Sequence, residues 1–191
     1  MLGLLPVGDN PADPQGRPGV SFFWSLRTDA LPAWRAGGLE AFKAKVARYW
    51  PRAGAAIDAV EDAEAGAPAR YRDGVCPAWR RGNTILIGDA AHAMSPQLGQ
   101  GANLALCDAA ALADALNDHA PLQRALPAFE KARRPATTYY TLMSRALTPV
   151  FQSGSTIIGW LRDLVMPIGC RLPGIRGWMA WTLAGRGRVP W

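Results

Sequence analysis

The sequence predicts an α/β fold organised around residues 83–116. Three observations carry that expectation. Thr84-Ile85-Leu86-Ile87 is a short apolar run, rich in β-branched residues and closed by Gly88, which is the pattern of a buried strand. Asp89 follows at once and places a carboxylate just past the carboxyl end of that strand, where open α/β sheets bind ligands. A loop holding Pro96, Gly99 and Gly101 then leads into a helix with Ala102, Leu104, Ala105, Leu106, Ala109, Leu112, Ala113 and Leu116, apolar enough to require cover on most sides.

The remaining elements follow in order. Leu2 to Val7 and Val20 to Leu26 read as two strands of a hairpin, joined by a Gly-, Pro- and Asp-containing loop from Gly8 to Gly19. Leu39 to Trp50 reads as an amphipathic helix with Leu39, Phe42, Val46 and Tyr49 on one face, stopped by Pro51. Ala55 to Ala65 reads as a weaker helix or loop, and its acids Asp58, Glu61, Asp62 and Glu64 are too loosely spaced for a metal site. Ala69 to Trp79 reads as an extended strand returning toward the central motif, with Tyr71 and Arg72 expected as ordinary strand residues. Beyond the motif, Leu122 to Leu147 keeps helical spacing across a kink at Pro135, and Glu130 and Arg134 stand at i,i+4. Ile157 to Leu164 and Trp178 to Leu183 read as helices separated by a Pro/Gly break from Arg171 to Gly177.

Composition bounds the function. The 191 residues suffice for a domain with a real core, and the net charge of +6 suits anionic ligands or an anionic surface as readily as an ordinary solvated exterior. Nothing resembles a nucleic-acid module with interleaved aromatics. Cys76, Cys107 and Cys170 are odd in number and widely spaced, which points to reduced thiols and a cytoplasmic setting. No apolar stretch is long enough to span a bilayer, and the first residues lack the features of a signal peptide.

Each motif residue has a physical task. Gly88 permits close backbone approach, and Asp89 can accept hydrogen bonds from sugar-like hydroxyls. Pro96 stiffens the loop, while Gly99 and Gly101 leave the next helix start bare, so that its free N–H groups can face a negatively charged ligand. Residues 99–104 imitate a dinucleotide fingerprint, but Leu104 stands where its third glycine belongs and no βαβ unit surrounds it. His92 has no acid or nucleophile at triad spacing and reads as a supporting residue rather than a catalytic base.

Gly88-Asp89-Ala90-Ala91-His92, then Pro96, then Gly99-Gln100-Gly101-Ala102-Asn103-Leu104-Ala105, resembles the second FAD motif of the single-component flavoprotein monooxygenases, the para-hydroxybenzoate hydroxylase-like and ubiquinone-biosynthesis type. The resemblance implies that Asp89 holds the ribityl chain, that Pro96 lines the flavin ring, and that the N–H groups of Ala102 and Asn103 point at its N1–C2 carbonyl edge. It implies FAD as cofactor, NAD(P)H as electron donor, and insertion of one oxygen atom of O2 into a small organic substrate, aromatic compounds among the candidates. The family's N-terminal glycine-rich βαβ unit and its Asp-Gly motif have no counterpart here, since Asp73-Gly74 comes too late. The chain therefore resembles a C-terminal half: α/β, or α+β as a fragment, with a partial FAD-binding domain, part of the substrate-domain sheet, and C-terminal helices.

The implied organisation is a partial substrate sheet with a helix at 1–81, the strand-loop-helix FAD motif at 82–120, and a helical region at 121–191. A complementing N-terminal half is an expected partner. Trp160, Leu161, Leu164, Val165 and Met166 with Trp178, Met179 and Trp181, beside Arg162, Arg171, Arg176, Arg186 and Arg188, raise peripheral membrane contact as a further expectation. Two other readings stand: another FAD-superfamily oxidoreductase of the halogenase or prenyl reductase type, and a non-catalytic fragment acting as a binding module.

Overall fold

Leu2–Asp9 (β1) and Pro18–Trp24 (β2) pair antiparallel, with Leu2 opposite Trp24 and Leu4 opposite Phe22, as the hairpin expectation requires. A computed structural model describes residues 2–9, 13–61 and 69–190. Two compact units divide it, 1–69 and 70–191.

In the first unit, strand alternation sends Leu4, Phe22 and Trp24 to one face, against Phe42, Val46, Ala53 and Ile57. Phe22 and Trp24 meet the Phe42 ring at 5.7 and 5.4 Å, so they belong to the core. Phe23 points the other way and lies over Gly3, where a Cβ would fall 2.1 Å from its ring. The helix Leu31–Tyr49 (α1) begins earlier than the spacing predicts, but it breaks at Gly38, beside the expected start. Phe42 and Val46 are buried as expected; Tyr49 is 65% exposed and does not join that face. The weak second helix is the short Gly54–Asp58 (α2), and Asp62 and Glu64 lie outside the described residues.

The second unit is mostly helical. Arg80–Arg81 (β3) and Thr84–Ile85 (β4) form a two-residue antiparallel ladder. Asp89–His92 (α3) is a single turn, followed by Gly101–Asp118 (α4), Leu122–Gln152 (α5), Thr156–Gly169 (α6) and Pro173–Leu183 (α7). The loop from His119 to Pro121 is short enough to fold α5 back on α4, and Phe129 of α5 closes a core with Trp79, Ala91 and Ala115. Helix α5 continues past the expected end despite Pro127, Pro135 and Pro149. Both last helices start earlier or end later than their apolar residues suggest: Ser155 caps α6, and Pro173 supplies an N-terminal proline for α7.

Three expectations are corrected. The central run is not a buried strand: only Thr84 and Ile85 are laddered, and Ile87 is 36% exposed. Ala69–Trp79 is not a strand; its hydrogen bonds run to the α3 turn instead of to a strand, Gly74 N–H to Ala93 O at 2.8 Å and Cys76 N–H to Ala91 O at 3.0 Å. Helix α4 is covered on one face only; Leu104, Asp108 and Ala115 are buried while Leu106 is 72% exposed. All three have one physical reason. A strand or apolar helix is buried by its neighbours, and no parallel strand lies beside β4 among the described residues.

Candidate cofactor site

The turn from β4 into α3 is fixed by Gly88. Its φ of +57° suits glycine, and a Cβ there would sit 3.1 Å from the Ala105 Cβ, so α4 can approach the strand end only at a residue without a side chain. Asp89 opens α3 with an exposed side chain, and its Oδ1 lies 3.9 Å from where a Gly101 Cβ would stand. The carboxylate is thus set beside the start of α4.

That start is open. Gln100 occupies the N-cap without a side-chain cap hydrogen bond, and the first backbone bond runs from Leu104 N–H to Gln100 O at 2.9 Å. The N–H groups of Gly101, Ala102 and Asn103 therefore have no helical acceptor, and the helix dipole gives their end partial positive charge. Ala102 and Asn103 are exposed. Pro96 begins a 3-10 turn, Pro96–Leu98, which Gly99 terminates in the left-handed conformation. The loop before it is held from two sides: Ser95 N–H donates to Asp73 Oδ1 at 2.8 Å, and Ser144 Oγ donates to Ser95 O at 2.7 Å. The structure thus brings Gly88, Asp89, Gly101, Ala102 and Asn103 together, with Pro96 and Gly99 on the connecting loop.

Beneath this surface lies a buried charge network that sequence reasoning missed. Asp108 has no exposed surface, and its carboxylate accepts from Gly88 N–H at 2.9 Å, His92 Nε2 at 2.6 Å and Arg133 Nε at 2.7 Å. Arg133 also donates to Leu104 O at 3.4 Å. Burial pushes the Asp108 carboxyl upward, but the hydrogen bonds from His92, Arg133 and Gly88 outweigh it and hold the group below the usual carboxylate range. One carboxylate therefore ties the strand end, α3, α4 and α5 around the site. His92 is buried with its ring tilted against Trp79 at 5.4 Å, and its Nδ1 has no partner among the described residues. The available signal was an acid inside an apolar helix, one turn after Leu104 on the same face.

The expected Glu130–Arg134 pair forms, with Arg134 Nε 3.0 Å from Glu130 Oε1. Arg134 also donates to Pro77 O at 2.6 Å and lies 5.1 Å from the Trp79 ring, so the pair anchors residues 77–79 to α5. Tyr71 and Arg72 are exposed. In the first unit a cavity of about 570 Å³ opens beside Trp24, Lys45, Tyr49 and Trp50. Its lining holds the cations Arg27 and Lys45 and no carboxylate, so the candidate site that carries an acid is the one around Asp89. Among the described residues no His, Cys, Asp and Glu cluster fits a metal ion.

A strand end, an exposed carboxylate and an uncapped glycine-led helix are the arrangement that suits a nucleotide-type cofactor. Residues 18–139 match the FAD binding domain model, more than half of the chain, and the chain belongs to that family. It is 48% identical over 67 residues to the 3-hydroxy-4-methyl-anthranilyl-[aryl-carrier protein] 5-monooxygenase of Streptosporangium sibiricum, covering 35% of this chain and 19% of that protein. It is 58% identical over 53 residues to the kynurenine 3-monooxygenase of Xanthomonas oryzae pv. oryzae, covering 28% of this chain and 12% of that one. The fold is shared with Klebsiella pneumoniae HpxO, solved with FAD, at TM-score 0.64 and 24% identity over 89% of this chain and 44% of that chain. With P. aeruginosa PqsL, solved with 2-aminobenzoylacetate, the TM-score is 0.61 and the identity 23% over 83% of this chain and 49% of that chain. The chain thus spans less than half the length of each of these proteins.

The residues present fit FAD. The three free N–H groups of α4 suit an electron-rich ring edge, the exposed Asp89 carboxylate suits hydroxyls, and the glycine at residue 88 leaves the backbone close to α4.

Proposed function

We propose that this chain supplies the ring-side half of the FAD site in a monooxygenase that takes electrons from NAD(P)H and hydroxylates a small aromatic substrate. The observation that carries the reading is the uncapped start of α4 with the Asp89 carboxylate beside it. In this reading Asp89 accepts hydrogen bonds from the ribityl hydroxyls. The N–H groups of Ala102 and Asn103, with Gly101 allowing approach, stabilise negative charge at the N1–C2 edge of the ring. Pro96 and Gly99 shape the loop against the ring, and Gly88 aims Asp89. The flavin, when bound, supplies the oxygen chemistry, so the protein needs no nucleophile of its own. The names of the two monooxygenase relatives, one of kynurenine and one of an anthranilyl group, support an aromatic substrate and favour hydroxylation over halogenase or prenyl reductase chemistry. The three free cysteines support a reducing, cytoplasmic setting.

Residues 1–191 alone are expected not to retain FAD. Their contacts reach the ribityl chain and one ring edge, whereas the ADP phosphates call for a glycine turn and helix start of a βαβ unit, for which a complementing N-terminal half is the proposed partner. The check is to desalt the purified chain after incubation with excess FAD and record its visible spectrum. Near-equimolar bound flavin with oxygen-dependent NAD(P)H oxidation would contradict it; no flavin even with the complementing half would favour a non-catalytic binding module.

Peripheral membrane contact is proposed for α6 and α7. Ile157, Trp160 and Trp178 are 71%, 75% and 49% exposed, and Arg171 and Arg176 have no ion-pair partner among the described residues. Exposed tryptophan beside arginine suits the interface of an anionic bilayer. No described helix is long and apolar enough to cross a membrane. The chain should float with anionic liposomes at low salt; protein left at the bottom of the gradient would refute the contact.

A further inference from the structure

The segment Thr182–Val189 lies between two parts of the second unit that the cofactor site depends on. On one side it meets α5. Tyr140, fully buried, donates its phenol hydrogen to Thr182 O at 2.6 Å, and its phenol oxygen accepts Gly187 N–H at 3.0 Å. Tyr139 Oη and Thr182 Oγ1 are 2.7 Å apart, and Val189 N–H reaches Pro135 O at 3.1 Å. A Cβ at Gly187 would fall 2.1 Å from the Tyr139 ring, so the segment is pressed onto that helix.

On its other side the segment meets the open start of α4. Gln100 Nε2 donates to Leu183 O at 2.9 Å, while Gln100 Oε1 accepts from Asn103 Nδ2 at 2.8 Å. Gly185 turns at φ +76°, and a Cβ there would stand 2.5 Å from Asn103 Nδ2. The side chains of Gln100 and Asn103 are therefore occupied by the segment and by each other, and neither bends back to cap the N–H groups of its own helix. A short polar side chain near a helix start can take those N–H groups itself, and here the carboxamides of Gln100 and Asn103 are engaged elsewhere.

We propose that Thr182–Val189 is a strap that positions the first turn of α4 for the cofactor, with Gly185 and Tyr140 as positioning residues: Tyr140 holds the strap, and the strap keeps Gln100 and Asn103 turned away from the free N–H groups. The inference rests on the proposed FAD site. It also accounts for the glycine-arginine run at 185–188, whose two glycines stand at the two close approaches.

The test has one arm without flavin and one with it. Hydrogen exchange on the flavin-free protein reads the amides of Gly187 and Leu104. Tyr140→Phe should speed both by roughly fivefold to tenfold, the effect of losing one hydrogen bond. Faster exchange at Gly187 with Leu104 unchanged would overturn the coupling. Gly185→Ala should also speed Leu104, and by a smaller factor when Asn103→Ala removes the group the new Cβ meets; independent effects of the two changes would likewise overturn it. Flavin titration of the protein completed by an ADP-binding half should show Tyr140→Phe weakening affinity roughly severalfold. Altered exchange with unchanged affinity would confine the strap to stability and refute its positioning role. If Asp89→Ala in the same titration also changes nothing, the FAD-site reading itself has failed.

Discussion

Replacing Asp108 with alanine should remove about 3–5 kcal/mol of folding stability, the range for stripping one partner from a buried ion pair. Three donors lose their acceptor at once: the Arg133 guanidinium, whose side chain is only 13% exposed, the buried His92 ring, and the Gly88 N–H. The network is also the joint between β4, α3, α4 and α5, so the loss should appear as a lower urea midpoint of the second unit and as weaker flavin binding together. A stability change below about 1 kcal/mol would show that the three bonds do not persist in solution. The pH dependence has a definite sign. Because the folded-state value of Asp108 is depressed, its contribution is fully present above the ordinary carboxylate range and is lost as pH falls through the depressed value. The gap between wild-type and Asp108→Ala midpoints should therefore be wide at neutral pH and narrow on acidification. A gap that grows with acid would contradict the assignment.

Asp89→Ala should do the opposite: leave the fold almost intact and weaken the cofactor. Asp89 is exposed and makes no ion pair among the described residues, so its removal should move stability by no more than about 0.5 kcal/mol. Its hydrogen bonds to ribityl hydroxyls would be charge-assisted, and losing such a bond costs roughly 1.5–3 kcal/mol, or about ten- to 150-fold in affinity. Titration of FAD into the completed enzyme measures it directly. Unchanged affinity would remove Asp89 from the site. The two aspartates stand 19 positions apart, and this pair of experiments separates the scaffold role expected of Asp108 from the ligand-facing role proposed for Asp89.

Much of the candidate site was legible in one dimension because its parts are consecutive. Gly88, Asp89, Pro96, Gly99, Gly101, Ala102 and Asn103 fall within one strand-end, loop and helix start, and local backbone chemistry specifies such an arrangement. Asp108 and Arg133 were not legible in the same way. An acid on a helix and one arginine of an Arg-Arg pair have many ordinary explanations, and only the fold of α5 onto α4 brings Arg133 Nε to 2.7 Å from the Asp108 carboxylate. The strap was equally hidden, since Gly185 and Asn103 are distant in sequence and meet only after α5, α6 and α7 have folded back.

The sequence by itself determined the hairpin, the helix carrying the apolar face of Phe42 and Val46, the bare helix start after Gly99 and Gly101, and the FAD-type motif. Each is set by short-range periodicity or by glycine and proline at particular backbone positions. Tertiary structure decided how much of each apolar element is buried. Thr84 to Ile87 read as a buried strand and Ala102 to Leu116 as a covered helix, yet Ile87 and Leu106 are exposed. Period and composition record that a surface is apolar; burial depends on which neighbour lies against it, and that information belongs to the packed chain rather than to any local stretch.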